Sequence, residues 1–136
     1  MKTGYLSAVV LWLLAGSAVG QEEKVAPLNV EMGGQVYLCG LKAQLADMTK
    51  GSKQKNLLAE ASACAENSRV KMRSLVKSEY EKYPDGDVMR ERIKSLYSAY
   101  LSYMSSAMWG KDLIESTEAK AFASRVNDYK SELDLR

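Results

Sequence analysis

The chain has 136 residues, of which 19 are Lys or Arg and 17 are Asp or Glu, so its formal net charge at pH 7 is +2. A net charge this close to zero gives no long-range field for attracting nucleic acid, and we expect no nucleic-acid partner. The sequence contains no histidine, which excludes histidine-based catalytic triads, histidine-ligated zinc and Cys-x-x-Cys-His haem attachment. Acidic residues are scattered over polar positions, and no glycine-rich phosphate loop occurs. We therefore expect a protein without enzymatic activity, cofactor or metal site.

The first twenty residues have the pattern of a secretory signal peptide. Lys2 is followed by an apolar run from Leu6 to Ala15, and the small residues Ala18 and Gly20 suit a peptidase cut before Gln21. The run is about half the length of a membrane-spanning helix. We therefore expect export to the periplasm or the medium, with no stable membrane anchor after cleavage.

The segment that follows, residues 21–33, has no strong period and contains Pro27, so we expect an extended N-terminal arm. The remaining residues, 34–136, are enough for one domain. Their apolar residues recur at helical spacing, without the alternation typical of strands. The sequence thus predicts an all-α fold, a small bundle of about four helices.

The two cysteines, Cys39 and Cys64, are placed symmetrically about a turn. Gly51 suits the end of one helix and Ser52 the start of the next, and each cysteine lies twelve positions from that pair. In an antiparallel helical hairpin such positions face one another. Paired thiols of an exported chain are oxidised to a disulfide in the compartment that it enters. We therefore predict a Cys39–Cys64 disulfide that pins an N-terminal hairpin.

The first helix, predicted from about Gly34 to Lys50, carries two apolar stripes. One consists of small residues and is expected to face the second helix, since small side chains allow close approach. The other consists of large residues and is expected to face the rest of the core. The small stripe comprises Val36, Cys39, Ala43 and Ala46, and the large stripe Leu38, Leu41, Leu45 and Met48.

Turn and capping residues place the remaining helices. The second helix is predicted from Ser52 to about Lys82, where Pro84 prevents continuation, and the third from about Asp87 to Trp109. A fourth helix is predicted after Gly110, with Asp112 and Glu115 as a variant of the capping box.

The third helix has more apolar and aromatic positions than one helix contact can cover. They leave two interpretations: a central helix touched by several neighbours, or a helix whose Tyr100, Tyr103 and Trp109 form a partner-binding surface. We expect at least one of these three side chains to be exposed. Met104 and Met108, four residues apart, could hold Cu(I) through thioethers, but core packing is the favoured interpretation.

These features favour an exported, non-enzymatic binding protein. In size and architecture it is similar to periplasmic immunity proteins and stress chaperones, although no motif identifies a family. The leading hypothesis is binding to another protein, as an inhibitor or immunity protein would, and a homodimer is compatible with it. The alternatives are an envelope stress chaperone and a small-ligand or metal carrier with a pocket lined by Tyr and Met.

Overall fold

The computed structural model describes residues 26–136, which form four helices connected by short segments. The predicted signal peptide, residues 1–20, and residues 21–25 of the predicted arm lie outside the described residues. The helices are α1 (Leu28–Asp47), α2 (Ser52–Tyr80), α3 (Val88–Met108) and α4 (Thr117–Asp134). No strand occurs among the described residues, and the prediction of a small all-α bundle is confirmed.

Helix α1 begins six residues earlier than predicted, so residues 28–33 are helical and not part of an extended arm. Pro27 precedes the first helical residue, where its fixed φ suits a helix start, and its carbonyl accepts hydrogen bonds from the N–H groups of Val30 and Glu31. Leu28 and Met32 are buried one turn apart. The apolar period of α1 therefore extends back to its first residue.

Asp87 caps α3 as predicted, because its side chain accepts a hydrogen bond from the N–H of Met89 at 2.8 Å. The predicted cap of α4 is wrong in position. Asp112 accepts from the N–H of Glu115 at 2.6 Å within the connecting loop, and Ser116 caps the helix by accepting from the N–H of Ala119 at 3.2 Å. The loop between α3 and α4 is therefore longer than the sequence suggested.

The disulfide between Cys39 and Cys64 is present, with Cα atoms 5.5 Å apart, and α1 packs against α2. Both predictions are confirmed, while the antiparallel register of the hairpin stays a prediction. A disulfide is typical of a non-reducing compartment. Within residues 26–136, no helix combines the length and apolar character needed to cross a membrane.

Helix α3 is the central helix, since it contacts each of the other three. Its side chains supply the largest share of the core, in agreement with the first interpretation of its wide apolar arc. The buried residues of α3 are Met89, Ile93, Leu96, Tyr100, Tyr103, Met104, Ser106 and Ala107.

The prediction for the two stripes of α1 is correct for the small stripe and wrong for the large one. The small stripe is buried, whereas Leu38, Leu41, Leu45 and Met48 are exposed. The reason is close approach: a Cβ on Gly40 would lie only 3.3 Å from the Cβ of Ala107 and 2.5 Å from a methyl group of Leu113. Large side chains cannot fit at that distance, so they lie on the opposite side of the helix.

Candidate partner-binding surfaces

Trp109 lies at the C-terminal end of α3 with 87% of its surface exposed. Its backbone is held in place, because its N–H donates to the carbonyls of Ser105 and Ser106 at 3.2 and 3.1 Å. Gly110 then turns the chain away with a φ of 76°, a conformation that favours glycine. The indole is thus a solvent-exposed side chain on a fixed backbone.

An open groove of about 470 Å³ lies beside the Trp109 indole, between the end of α3 and the start of α4. The groove is lined by both apolar and polar side chains. Lys111 and Glu118 form an ion pair at one edge, with the Lys111 Nζ 2.7 Å from a carboxylate oxygen of Glu118. That hydrogen bond lowers the pKa of the Glu118 carboxyl. The other lining residues are Leu101, Ser102, Ser105 and Ser106.

Tyr100 and Tyr103, which the sequence placed with Trp109 on a partner-binding surface, are core residues. The Tyr100 side chain is fully buried, and its hydroxyl shares a 2.7 Å hydrogen bond with the hydroxyl of Ser68. The Tyr103 hydroxyl donates to the carbonyl of Leu113 at 2.5 Å, and its ring packs on Phe122 with centroids 5.3 Å apart. Burial raises the pKa of both phenols. Neither side chain is available to a partner in this structure.

A second apolar surface lies on the side of α1 that faces solvent. We call it the outer α1 stripe, and its members are between 44% and 77% exposed. None of them is charged. The stripe consists of Tyr37, Leu38, Leu41, Leu45 and Met48.

The spacing of apolar residues predicts the outer α1 stripe, but it does not predict that this stripe faces solvent. Helix α1 is apolar on two faces, and the face with the larger side chains was assigned to the core. The small stripe faces the core because Gly40 of α1 lies against Ala107 and Leu113. Those contacts join residues far apart in the chain, so local spacing could not reveal them.

The structure gives little support to a methionine-based metal site on α3. Met104 is fully buried, and Met108 is partly buried against the same core. Within residues 26–136, no group of three or more His, Cys, Asp or Glu side chains is arranged to hold a metal ion. The contacts of both methionines with the core show that they contribute packing, for which a flexible thioether is well suited.

Comparisons with protein-family models, with curated proteins and with solved structures found no match for this chain.

Proposed function

We propose that this chain is an exported, non-enzymatic binding protein that engages another protein through Trp109, as an inhibitor or an immunity protein would. The observation that carries the proposal is the position of this side chain. A tryptophan that is almost entirely exposed, on a backbone fixed by helical hydrogen bonds, has the character of an interface anchor.

The surroundings of Trp109 suit a protein partner. A tryptophan side chain has only two rotatable χ angles, so it loses little conformational freedom on binding, and more of its buried area contributes to affinity. The adjacent groove is large enough for one side chain of a partner, and the ion pair between Lys111 and Glu118 supplies the polar rim that surrounds most anchors. The proposed contact is therefore a single aromatic anchor beside a shallow, polar-edged groove.

Export is supported by two independent features of the chain. The first twenty residues have the pattern of a cleaved signal peptide, and the Cys39–Cys64 disulfide suits an oxidising compartment. The proposed location is the periplasm or the extracellular medium.

The alternatives predicted from sequence have weaker structural support. A metal carrier would need accessible ligands, but Met104 is buried. An envelope chaperone would need an apolar surface for unfolded clients, and the outer α1 stripe is the surface to consider. That stripe is one face of one helix and not an open cradle, so we rank the chaperone second.

Trp109 also provides the means to test the proposal. The sequence has two tryptophans, Trp12 and Trp109, and Trp12 lies in the predicted signal peptide. After cleavage Trp109 is the sole tryptophan, and its fluorescence reports the surroundings of this one side chain. Mass spectrometry of the purified protein establishes that residues 1–20 have been removed.

The experiment has a capture step and a titration step. Exported proteins of the producing cell are passed over the immobilised mature chain, and each retained protein is titrated in purified form against the free chain. A true partner should shift the emission of Trp109 to the blue and protect it from quenching by acrylamide. The change Trp109→Ala should weaken binding at least about tenfold, since hot-spot tryptophans contribute about 1.4 kcal/mol or more.

The matched control is Val70→Ala, which shortens an exposed apolar side chain on α2 away from the groove. This change should leave both binding and the melting temperature unchanged. The proposal is wrong if the retained proteins bind Trp109→Ala as tightly as the unchanged chain, or if none of them alters the emission of Trp109.

A further inference from the structure

The outer α1 stripe has the spacing of a helix-packing seam. Starting from Gly34, its line passes through Leu38, Leu41, Leu45 and Met48, with steps of four, three, four and three residues. This is the alternation of a heptad pattern, in which each apolar residue inserts between residues of a facing helix. Space for such insertion exists at Gly34, where a Cβ would meet no other atom within 4 Å.

Helix α1 is apolar on two opposite faces. Its inner face packs on α2 and α3, and its outer face carries the outer α1 stripe. A helix that is apolar on both faces normally has both covered. The fold described by residues 26–136 covers one of them.

The charges of α1 distinguish between a membrane surface and a second protein surface as the partner of the outer α1 stripe. A helix that lies on a membrane surface carries Lys and Arg along the edges of its apolar face. Helix α1 contains one basic residue, Lys42, and two acidic residues, Glu31 and Asp47. This balance does not suit an anionic lipid surface. It suits an uncharged apolar surface, and a second copy of the stripe is such a surface.

Area and net charge both permit a dimer. If the five side chains of the stripe, which are between 44% and 77% exposed, are completely covered in both copies, about 1,000 Å² is removed from water, the least that a biological interface is expected to bury. After cleavage the chain would have 18 basic and 17 acidic residues, so its net charge of +1 would oppose association only weakly. A two-fold axis places the same patch of both subunits in contact, which matches apolar surface with apolar surface.

We propose that the protein forms a homodimer in which the outer α1 stripes of two copies pack against each other about a two-fold axis. This interface lies on α1 and uses none of the residues that line the groove beside Trp109. Dimerisation would cover the exposed apolar face of α1 and leave the groove beside Trp109 open in each subunit.

The test is sedimentation equilibrium of the mature protein, purified under non-reducing conditions, over a wide range of concentrations. The unchanged chain should fit a monomer–dimer equilibrium. Leu45→Glu and Leu41→Glu each place a charge in the seam, and each should raise the dimer dissociation constant by at least about thirtyfold. Circular dichroism and the melting temperature of the dilute monomer should stay unchanged, because both side chains are already about half exposed.

Three controls make the result specific. Val70→Glu and Leu58→Glu place the same charge at exposed apolar positions of α2, and neither should change the dissociation constant. Trp109→Ala should leave the dimer intact, and dimerisation should leave the emission of Trp109 unchanged.

The inference is overturned if the unchanged chain remains a monomer up to several hundred micromolar, because another protein or an unfolded client would then be the occupant of the stripe. It is equally overturned if a dimer forms but tolerates both Leu45→Glu and Leu41→Glu. Neither result affects the proposal for Trp109, which is read from the tryptophan emission and not from the oligomeric state.

Discussion

Helices α1 and α3 both carry apolar side chains over a wide arc, yet the fold treats them differently. Helix α3 contacts all three other helices, and its wide arc is almost entirely buried. Helix α1 contacts its neighbours on one side, and Leu38, Leu41 and Leu45 are exposed on the other. Equal breadth of an apolar arc in the sequence therefore does not mean equal burial in the fold.

The difference arises from the size of the side chains at the closest helix contact. On α1, Gly40 lies against Ala107 and Leu113, and the neighbouring small residues are buried with it. On α3, the buried positions include large side chains such as Leu96 and Tyr100. Around Gly40, small residues bring α1 close to the bundle and leave the outer α1 stripe exposed, whereas the large residues of α3 fill the centre.

Reduction of the disulfide should produce the largest change, and it should affect α1 more than α3. Cross-linking residues 25 positions apart restricts the unfolded chain, and removing this restriction should lower the free energy of unfolding by about 3 to 4 kcal/mol. Chemical denaturation with and without reductant measures the loss. Hydrogen exchange should show faster opening of α1 amides than of α3 amides.

The double change Cys39→Ala with Cys64→Ala is the control for effects of the reductant itself. It should reproduce the stability of the reduced chain to within about 1 kcal/mol. Two free thiols in the untreated protein, or an unchanged denaturation midpoint after reduction, would contradict the prediction.

Truncating one leucine on each helix tests the comparison of buried and exposed arcs. Leu96→Ala removes a fully buried side chain from α3, and it should lower the free energy of unfolding by about 3 kcal/mol through lost burial and a residual cavity. Leu45→Ala on the outer α1 stripe should change it by less than about 1 kcal/mol in the dilute monomer. Urea denaturation at low protein concentration measures the free energy of unfolding of both variants. Equal decreases in the two variants would show that the stripe is buried in the monomer.

The sequence was sufficient for the fold class and the disulfide, whereas it left two interpretations of α3 open. Helical spacing, turn residues such as Pro84 and the cysteine placement are local signals, and each agrees with the structure. Helical spacing places Tyr100 and Tyr103 on one side of α3 and Trp109, nine residues after Tyr100, on the opposite side, but spacing does not show which side faces a neighbouring helix. Position along the helix determines which of the three side chains is exposed. Trp109 follows the last helical residue, whereas the tyrosines lie beside α2 and α4.

Two predictions for α1 are wrong: the side on which its large stripe lies and the residue at which the helix begins. Spacing identifies two stripes on a helix but not which one faces the core, since that depends on contacts with residues distant in sequence. Pro27 does not by itself indicate an extended chain, because a proline is also common at the start of a helix. The burial of Leu28 and Met32 shows that the apolar period continued through the predicted arm.

Smaller effects than that of Leu96→Ala are expected from adding one methyl group on each face of α1. Gly40→Ala places a Cβ against Ala107 and Leu113. Leu113 can adjust, because the nearest atoms are the ends of its side chain, but the Cβ of Ala107 is fixed to α3. The change should therefore lower the free energy of unfolding by about 1 to 2 kcal/mol.

Gly34→Ala is the matched change on the outer face, and it should have the opposite sign. No atom lies within 4 Å of the added Cβ, and alanine is favoured over glycine inside a helix because the unfolded chain has less conformational freedom to lose. The free energy of unfolding should rise by about 0.5 to 1 kcal/mol. Thermal and urea denaturation of dilute samples measures both variants without a contribution from dimerisation. The two results have opposite signs only if α1 packs on the bundle through the face that contains Gly40, so equal signs would contradict the arrangement from which the outer α1 stripe was inferred.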